Sequence, residues 1–324
     1  MSNSVEHAAY LTEQDDTASD ELIELVNGLQ LPLKTISPKY FYDERGSQLF
    51  DQITELPEYY LTRTELSIMN RHIAEMASLI GPTASLIEFG SGSSQKIRIL
   101  LEHLVDLAAY VPVDISRDHL VASADALAAD YPGIEVLPVA ADFTQPFDLP
   151  SPAVMPIRNI VYFPGSTIGN FSPEAAAGLL EVMHHEAGAG GGLLIGIDLR
   201  KDIETLERAY NDASGVTAEF NLNVLNHLNH AYGADFDAGA FRHMAEYNEV
   251  DGRIEMYLVS ENNQAASIGG VRIAIADGER ILTEHSHKYA LEDFNAMTAR
   301  VGFRPVRHWT DADEKFAVCF FERD

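Results

Sequence analysis

Ser85-Leu-Ile-Glu-Phe-Gly-Ser-Gly-Ser-Ser94 is the stretch on which the fold turns. Leu86, Ile87 and Phe89 form a short apolar run, as expected of a strand covered on both faces in a parallel sheet. The run passes through Glu88 into Gly90-Ser-Gly92, and residues 95–105 then follow a helical pattern. Glycine puts no Cβ between the chain and a ligand, so a nucleotide fits against the backbone at Gly90 and Gly92. Strand, glycine turn and helix in this order open a nucleotide-binding α/β domain, although two glycines alone do not say which nucleotide.

The alternation continues outward from that turn. Strands are expected at 85–89, 109–113, 134–139, 160–163 and 193–197, with helices at 95–105, 117–131 and 173–186 between them. Ser172-Pro173 reads as a helix start, with the serine as cap and the proline in the first turn. Beyond residue 200 the pattern changes. Helices are expected at 201–211, 218–229 and 238–247, then a hairpin around Asp251-Gly252 leading into 253–260. Further strands are expected at 271–275 and 281–289, a helix at 291–301, and a closing antiparallel pair at 305–310 and 316–322. The expected architecture is α/β, a Rossmann-like sheet domain of 64–198 and 288–324. A second domain combines 1–63 with 199–287.

The bulk numbers exclude several classes. The 324 residues hold 22 Lys plus Arg against 50 Asp plus Glu, a formal net charge of -28, which repels phosphate backbones and argues against nucleic acid. Cys319 is the single cysteine, so no internal disulfide or multi-cysteine metal site is expected. No apolar run is long enough to span a bilayer. The opening MSNSVEHAAYLTEQDDTASDE lacks a secretion pattern. A cytoplasmic monomer with no membrane partner is the expectation.

The nucleotide is narrowed by what surrounds the turn. A dinucleotide fingerprint carries a third glycine, but Gln95 stands there. Glu88, two residues before Gly90, suits a ligand with a cationic amino-acid end. Asp114 closes the second strand, where a carboxylate accepts ribose hydroxyls, and Asp142-Phe143 follows the third with an acceptor for an adenine amine and a ring to pack beside it. One acid at a strand end is ordinarily a solvated residue; three on consecutive strands mark the ligand-binding edge of an open sheet. S-adenosylmethionine fits this set better than NAD.

Other segments point to an acceptor. Tyr residues crowd Ser37-Pro-Lys-Tyr-Phe-Tyr-Asp43 and Glu58-Tyr59-Tyr60 without an amphipathic period, so they read as a ligand wall as well as a core. Gly165-Ser-Thr-Ile-Gly-Asn170 follows the fourth strand and reads equally as an ordinary loop with two turn glycines or as a site where Gly165 offers a carbonyl and Asn170 a donor for a carboxylate. In Thr283-Glu-His-Ser-His-Lys288, strand alternation places Glu284, Ser286 and Lys288 on one face and His285 and His287 on the other. The histidine face lacks a carboxylate, so no metal is expected. A solvated strand face is the plainer reading of Glu284 and Ser286; a carboxylate beside a hydroxyl also matches the two ring nitrogens of an imidazole.

The stretches SPKYFYDERGSQLFDQITELPEYYLTRTE, IEFGSGSSQKIR, FPGSTIGNFSP, RAYNDASGVTAEFNLNVL, RIEMYL and LTEHSHKY together resemble the histidine-specific N-alpha-methyltransferases of ergothioneine biosynthesis, over nearly the whole chain. The resemblance implies a class-I S-adenosylmethionine-dependent methyltransferase domain with a substrate-binding domain. It implies three methyl transfers to the α-amino group of L-histidine, giving hercynine. It assigns Tyr42, Gly90, Lys96, Asp114, Asp142 and Phe143 to the cofactor. Tyr59, Glu284 and Ser286 would read the imidazole, Asn170 and Tyr210 the carboxylate, and the Gly165 carbonyl the amine. Phe50 and Met256 would complete the wall, and Tyr42, Gly165 and Asn170 would stand nearest the chemistry. Two other readings compete: a methyltransferase of the same fold acting on another aromatic amine such as a tryptophan derivative, and a binding module without catalysis.

Overall fold

A computed structural model of the chain describes residues 10–11, 17–91 and 94–323. Gly92 of the expected turn, and most of the acidic opening stretch, lie outside them. The chain divides into two compact units, one of 1–13, 64–199 and 289–324 and the other of 14–63 and 200–288.

Among the described residues the first unit contains an eight-stranded sheet in the order Tyr10–Leu11, Val139–Ala140, Ala109–Asp114, Ala84–Phe89, Arg158–Phe163, Gly192–Asp198, Phe316–Arg323 and Phe303–Thr310. The strands run parallel from Tyr10–Leu11 to Gly192–Asp198, and the final two are antiparallel. Every residue of Ala84–Phe89 and Gly192–Asp198 is buried, which is why neither shows polar alternation. From Ala84–Phe89 the chain builds outward to one side, then returns to lay Arg158–Phe163 on the other. That reversal is the switch point at which open α/β sheets take ligands.

Local chemistry accounts for the helices between the strands. Pro173–Ala187 begins as the sequence requires, with Ser172 Oγ accepting the Ala175 N–H at 3.2 Å and proline in the first turn. Phe89, Val113, Phe163, Ile195 and Phe321 share one buried apolar cluster that locks helices to sheet. The strand expected at 134–139 is reduced to Val139–Ala140 plus a lone bridge from Val136 to Tyr110. Pro138 has no N–H to give the ladder, so pairing breaks there.

The second unit holds a four-stranded sheet in the order Lys34–Thr35, Arg280–His287, Arg253–Ser260 and Phe241–Asn248. Helices Glu44–Glu55 and Val216–Tyr232 pack against each other, and Phe41 stacks on Phe220 with centroids 4.5 Å apart. The helix expected at 238–247 is instead one short turn, Ala238–Ala240, followed by the strand Phe241–Asn248. Ala, Met and Glu favour helix locally, but pairing along the whole length of Arg253–Ser260 overrides that preference. Sequence reading also missed Gln264–Ile268, which pairs with Val271–Ile275 across Gly269-Gly270, both at positive φ. Among the described residues no helix is long and apolar enough to cross a membrane.

Candidate active site

The first cluster lies where the parallel strands end. Gly90 follows Ala84–Phe89 at φ 72°, and its N–H donates to Val113 O at 2.8 Å, tying the turn to the adjacent strand. A Cβ on Gly90 would stand 3.6 Å from the Phe143 ring, so that ring faces bare backbone. Ser91 Oγ is buried without a hydrogen-bond partner among the described residues. Asp114 closes the next strand, its Oδ1 accepting from Ser116 N–H at 2.8 Å. Asp142 Oδ1 likewise accepts from the Thr144 N–H and hydroxyl at 2.9 and 2.7 Å. Both loops are therefore stiffened by the acids they present.

Below the turn the charges are internal. Glu88 is buried and accepts from the Tyr110 hydroxyl at 2.5 Å, so it supports the turn from inside the sheet. Burial pushes its carboxyl up to about 8, against the pull of the Tyr110 hydroxyl and the Lys96 charge. Lys96 sits on helix Ser94–Leu101, with Nζ 2.5 Å from Glu65 Oε2. Glu65 in turn accepts the Gly165 N–H, 3.0 Å from each oxygen. Gly165 has φ 80°, and the loop beyond it is pinned by Asp198 N–H donating to Ser166 Oγ at 2.8 Å. The short turn Thr167–Asn170 then ends on a half-buried Asn170.

The second unit carries a chain of rings. Tyr42 lies edge-on to Phe50 at 5.7 Å, Phe50 to Tyr59 at 6.3 Å, and Tyr59 to Tyr210 at 6.1 Å. Tyr210 ends helix Ile203–Tyr210, and its hydroxyl is 2.8 Å from Ser286 Oγ. Lys288 Nζ donates to both, at 3.0 and 2.8 Å. The backbone of Tyr210 is fixed as well: His243 Nε2 donates to its carbonyl at 2.8 Å while Nδ1 accepts from Asn221. Burial holds His243 below its ordinary pKa, which suits this neutral tautomer.

Glu284 faces Met256 directly across the strand pair, just past a register shift between Leu282 and Glu284. Thr283 fills the irregularity by donating to Asn221 Oδ1 at 2.8 Å. Glu284 keeps some solvent contact, yet the surrounding protein pushes its carboxyl up to about 7, against the Lys288 charge. Across the strand, the rings of His285 and His287 stand 6.0 Å apart, and no group of three His, Cys, Asp or Glu among the described residues converges as a metal site.

Gly90, Lys96, Asp114, Asp142, Phe143, Gly165 and Asn170 thus fall in the first unit, and Tyr42, Phe50, Tyr59, Tyr210, Met256, Glu284 and Ser286 in the second. Sequence reasoning gave no role to Glu65 or Lys288. Glu65 was visible as an acid on the apolar stripe Leu61, Ile68, Met69 and Met76 of helix Tyr60–Ile80. Lys288 was visible only as the end of an alternating strand; its two hydroxyl partners are a product of folding.

Comparison with known proteins decides the family. Residues 21–323 match the model described as histidine-specific methyltransferase, S-adenosylmethionine-dependent. The chain belongs to this family. A histidine N-alpha-methyltransferase of Mycolicibacterium smegmatis is 41% identical over 315 residues, spanning 95% of this chain and 97% of that protein. Its counterpart from Mycobacterium tuberculosis is 40% identical over 301 residues, 91% of this chain and 92% of that one. Ergothioneine biosynthesis protein 1 of Neurospora crassa is 34% identical over 280 residues, covering 84% of this chain and 31% of the fungal protein.

The histidine-specific methyltransferase family uses S-adenosylmethionine, and this chain's first unit fits that cofactor. Bare backbone at Gly90 lies against the Phe143 ring, and the buried Ser91 hydroxyl lacks a protein partner among the described residues. Asp114 and Asp142 are acceptors placed for hydroxyl and amine groups, where a pyrophosphate would be repelled.

Proposed function

We propose that this chain transfers three methyl groups from S-adenosylmethionine to the α-amino nitrogen of L-histidine, giving hercynine as a step of ergothioneine biosynthesis. The observation that carries the reading is the Glu284 and Ser286 pair. A carboxylate and a hydroxyl two residues apart on one strand, with Met256 opposite Glu284, complement a flat ring bearing one nitrogen donor and one acceptor. An indole has no ring-nitrogen acceptor and would give the Ser286 hydroxyl nothing on the ring to donate to.

Residue roles follow from chemistry. Gly90, Asp114, Asp142 and Phe143 hold the nucleoside, and Lys96 the carboxylate of its amino-acid end. Gly165 offers its carbonyl to an amine hydrogen, which directs the nitrogen lone pair; the amide of Asn170 donates to the histidine carboxylate, as does the hydroxyl of Tyr210 once its hydrogen turns from Ser286 to the substrate. Bound S-adenosylmethionine supplies a methyl already activated by the sulfonium charge. In each transfer a nitrogen–carbon bond forms, the carbon–sulfur bond breaks, and its electron pair stays on sulfur. No strong base is required once the amine binds neutral, since alignment is the main demand. The amine proton leaves to water, with the hydroxyl of exposed Tyr42 as the relay. As methyls accumulate the nitrogen becomes a bulky cation, which the faces of Tyr42, Phe50 and Tyr59 accommodate without a donor hydrogen. This reading places the enzyme in the cytoplasm.

Competition tests the reading. With labelled S-adenosylmethionine and equal L-histidine and L-tryptophan, label is expected in histidine alone; preferential labelling of tryptophan would overturn it.

A further inference from the structure

We infer that Glu65 is a positioning residue that sets two groups at once, the Gly165 peptide and the Lys96 ammonium. This rests on the reading that the first unit binds S-adenosylmethionine. Glu65 is 1% exposed on the apolar stripe of helix Tyr60–Ile80, where an unmatched carboxylate is strongly unfavourable. It is matched twice over: both oxygens accept the Gly165 N–H at 3.0 Å, and Oε2 lies 2.5 Å from Lys96 Nζ. The neighbouring strand makes room for it. A Cβ on Gly196 would stand 2.2 Å from Glu65 Oε1, so a side chain at that strand position would displace the carboxylate.

The consequence falls on Gly165. At φ 80° and without a Cβ, this residue would be the loosest link in its loop. Its N–H is anchored on Glu65, and the next residue is anchored through Ser166 Oγ and the Asp198 N–H. The Gly165 carbonyl is held between those two anchors. Lys96 belongs to the same unit, since a Cβ on Gly165 would come 3.3 Å from its Nζ. Glu65 itself touches neither the amine nor the donor. It sets the angle of the carbonyl that receives the amine and the position of the ammonium that receives the cofactor carboxylate.

Substitution separates the two tasks. Glu65→Gln keeps an oxygen for the Gly165 N–H but removes the charge that holds Lys96. Its calorimetric affinity for S-adenosylhomocysteine should fall about tenfold, with KM for S-adenosylmethionine rising alike and kcat within about threefold of wild type. Glu65→Ala loses both tasks, and kcat should fall by about a hundredfold as well. Gly196→Ala should mimic Glu65→Ala in the wild-type background yet cost little more once residue 65 is alanine. The Phe316 ring, 3.0 Å from the added methyl, is met in both backgrounds and so cancels from the comparison.

Product affinity and kcat within twofold of wild type in folded Glu65→Ala would overturn the inference. So would a Glu65→Gln variant as slow as Glu65→Ala, or additive losses in the Gly196 cycle. If Glu65→Ala does not fold, the Glu65→Gln affinity and kcat decide. The product-binding arm needs no amine, so wild-type protein that binds S-adenosylhomocysteine but leaves histidine unmethylated would sink the proposed function while still testing Glu65. Wild-type protein that does not bind it would sink both.

Discussion

The candidate site residues of the first unit are backbone and strand ends, those of the second side chains that hold one another. Around Gly90 the chain offers a bare turn, a buried hydroxyl without a partner among the described residues and acids whose own loops brace them. Around Ser286 the functional groups are tied together: Tyr210, Ser286 and Lys288 form a closed triangle of hydrogen bonds, and Tyr42, Phe50 and Tyr59 a continuous run of rings. The difference teaches where each kind of change should act. A backbone site is specified by topology and suits a cofactor shared by many proteins of one fold. A side-chain network is specified by sequence, and substrate choice changes within it while the sheet is kept.

The sharpest way to break that contrast is the double variant Glu284→Ala/Ser286→Ala. It should lower kcat/KM for histidine by about two to three orders of magnitude, because a charged and a neutral hydrogen bond are both lost. Affinity for S-adenosylhomocysteine should stay within twofold, and an equal loss in both would show that the two halves are not separable. Asp114→Ala is the converse. Product binding should weaken by about 10- to 100-fold in calorimetry. Next comes Lys288→Met, which removes the donor shared by Tyr210 and Ser286 and leaves their mutual hydrogen bond without its third corner. KM for histidine should rise about tenfold with a smaller change in kcat. Steady-state kinetics in which kcat alone falls would reject that role.

The smallest effect is a matter of protons. Glu88 holds its proton up to about 8, well above the ordinary carboxylate value of 4.5. Between those values the unfolded chain is ionised and the native chain is not, so this group's contribution to stability declines as pH rises through that window. Glu88→Gln should therefore gain on wild type in thermal midpoint from pH 5 to pH 8. The ammonium of the ligand's amino-acid end favours the ionised form, so binding of S-adenosylhomocysteine, which keeps that ammonium, should release a fraction of a proton at pH 7. Calorimetry in buffers of different ionisation enthalpy reads that release, which should vanish in Glu88→Gln.

Legibility in the sequence followed locality. Glu88, Gly90, Asp114 and Asp142 could be placed because they sit at or just past the ends of three strands, and the helix start at Ser172-Pro173 because a cap acts within one turn. Phe241–Asn248 was misread because its partner strand, not its composition, decides its conformation. Pro138 carried the signal for the short strand at Val139–Ala140, since a missing N–H is a local fact. Lys288 and the orientation of Tyr210 by His243 depend on segments far apart in sequence, and no spacing rule brings those together.

Tandem mass spectrometry of the histidine product tests the central claim most directly, because it reports both the number of methyl groups and the nitrogen that carries them. The account predicts trimethylation confined to the α-nitrogen, with mono- and dimethyl species preceding it. Methyl on an imidazole nitrogen would contradict it, because Glu284 and Ser286 would then not be holding the ring.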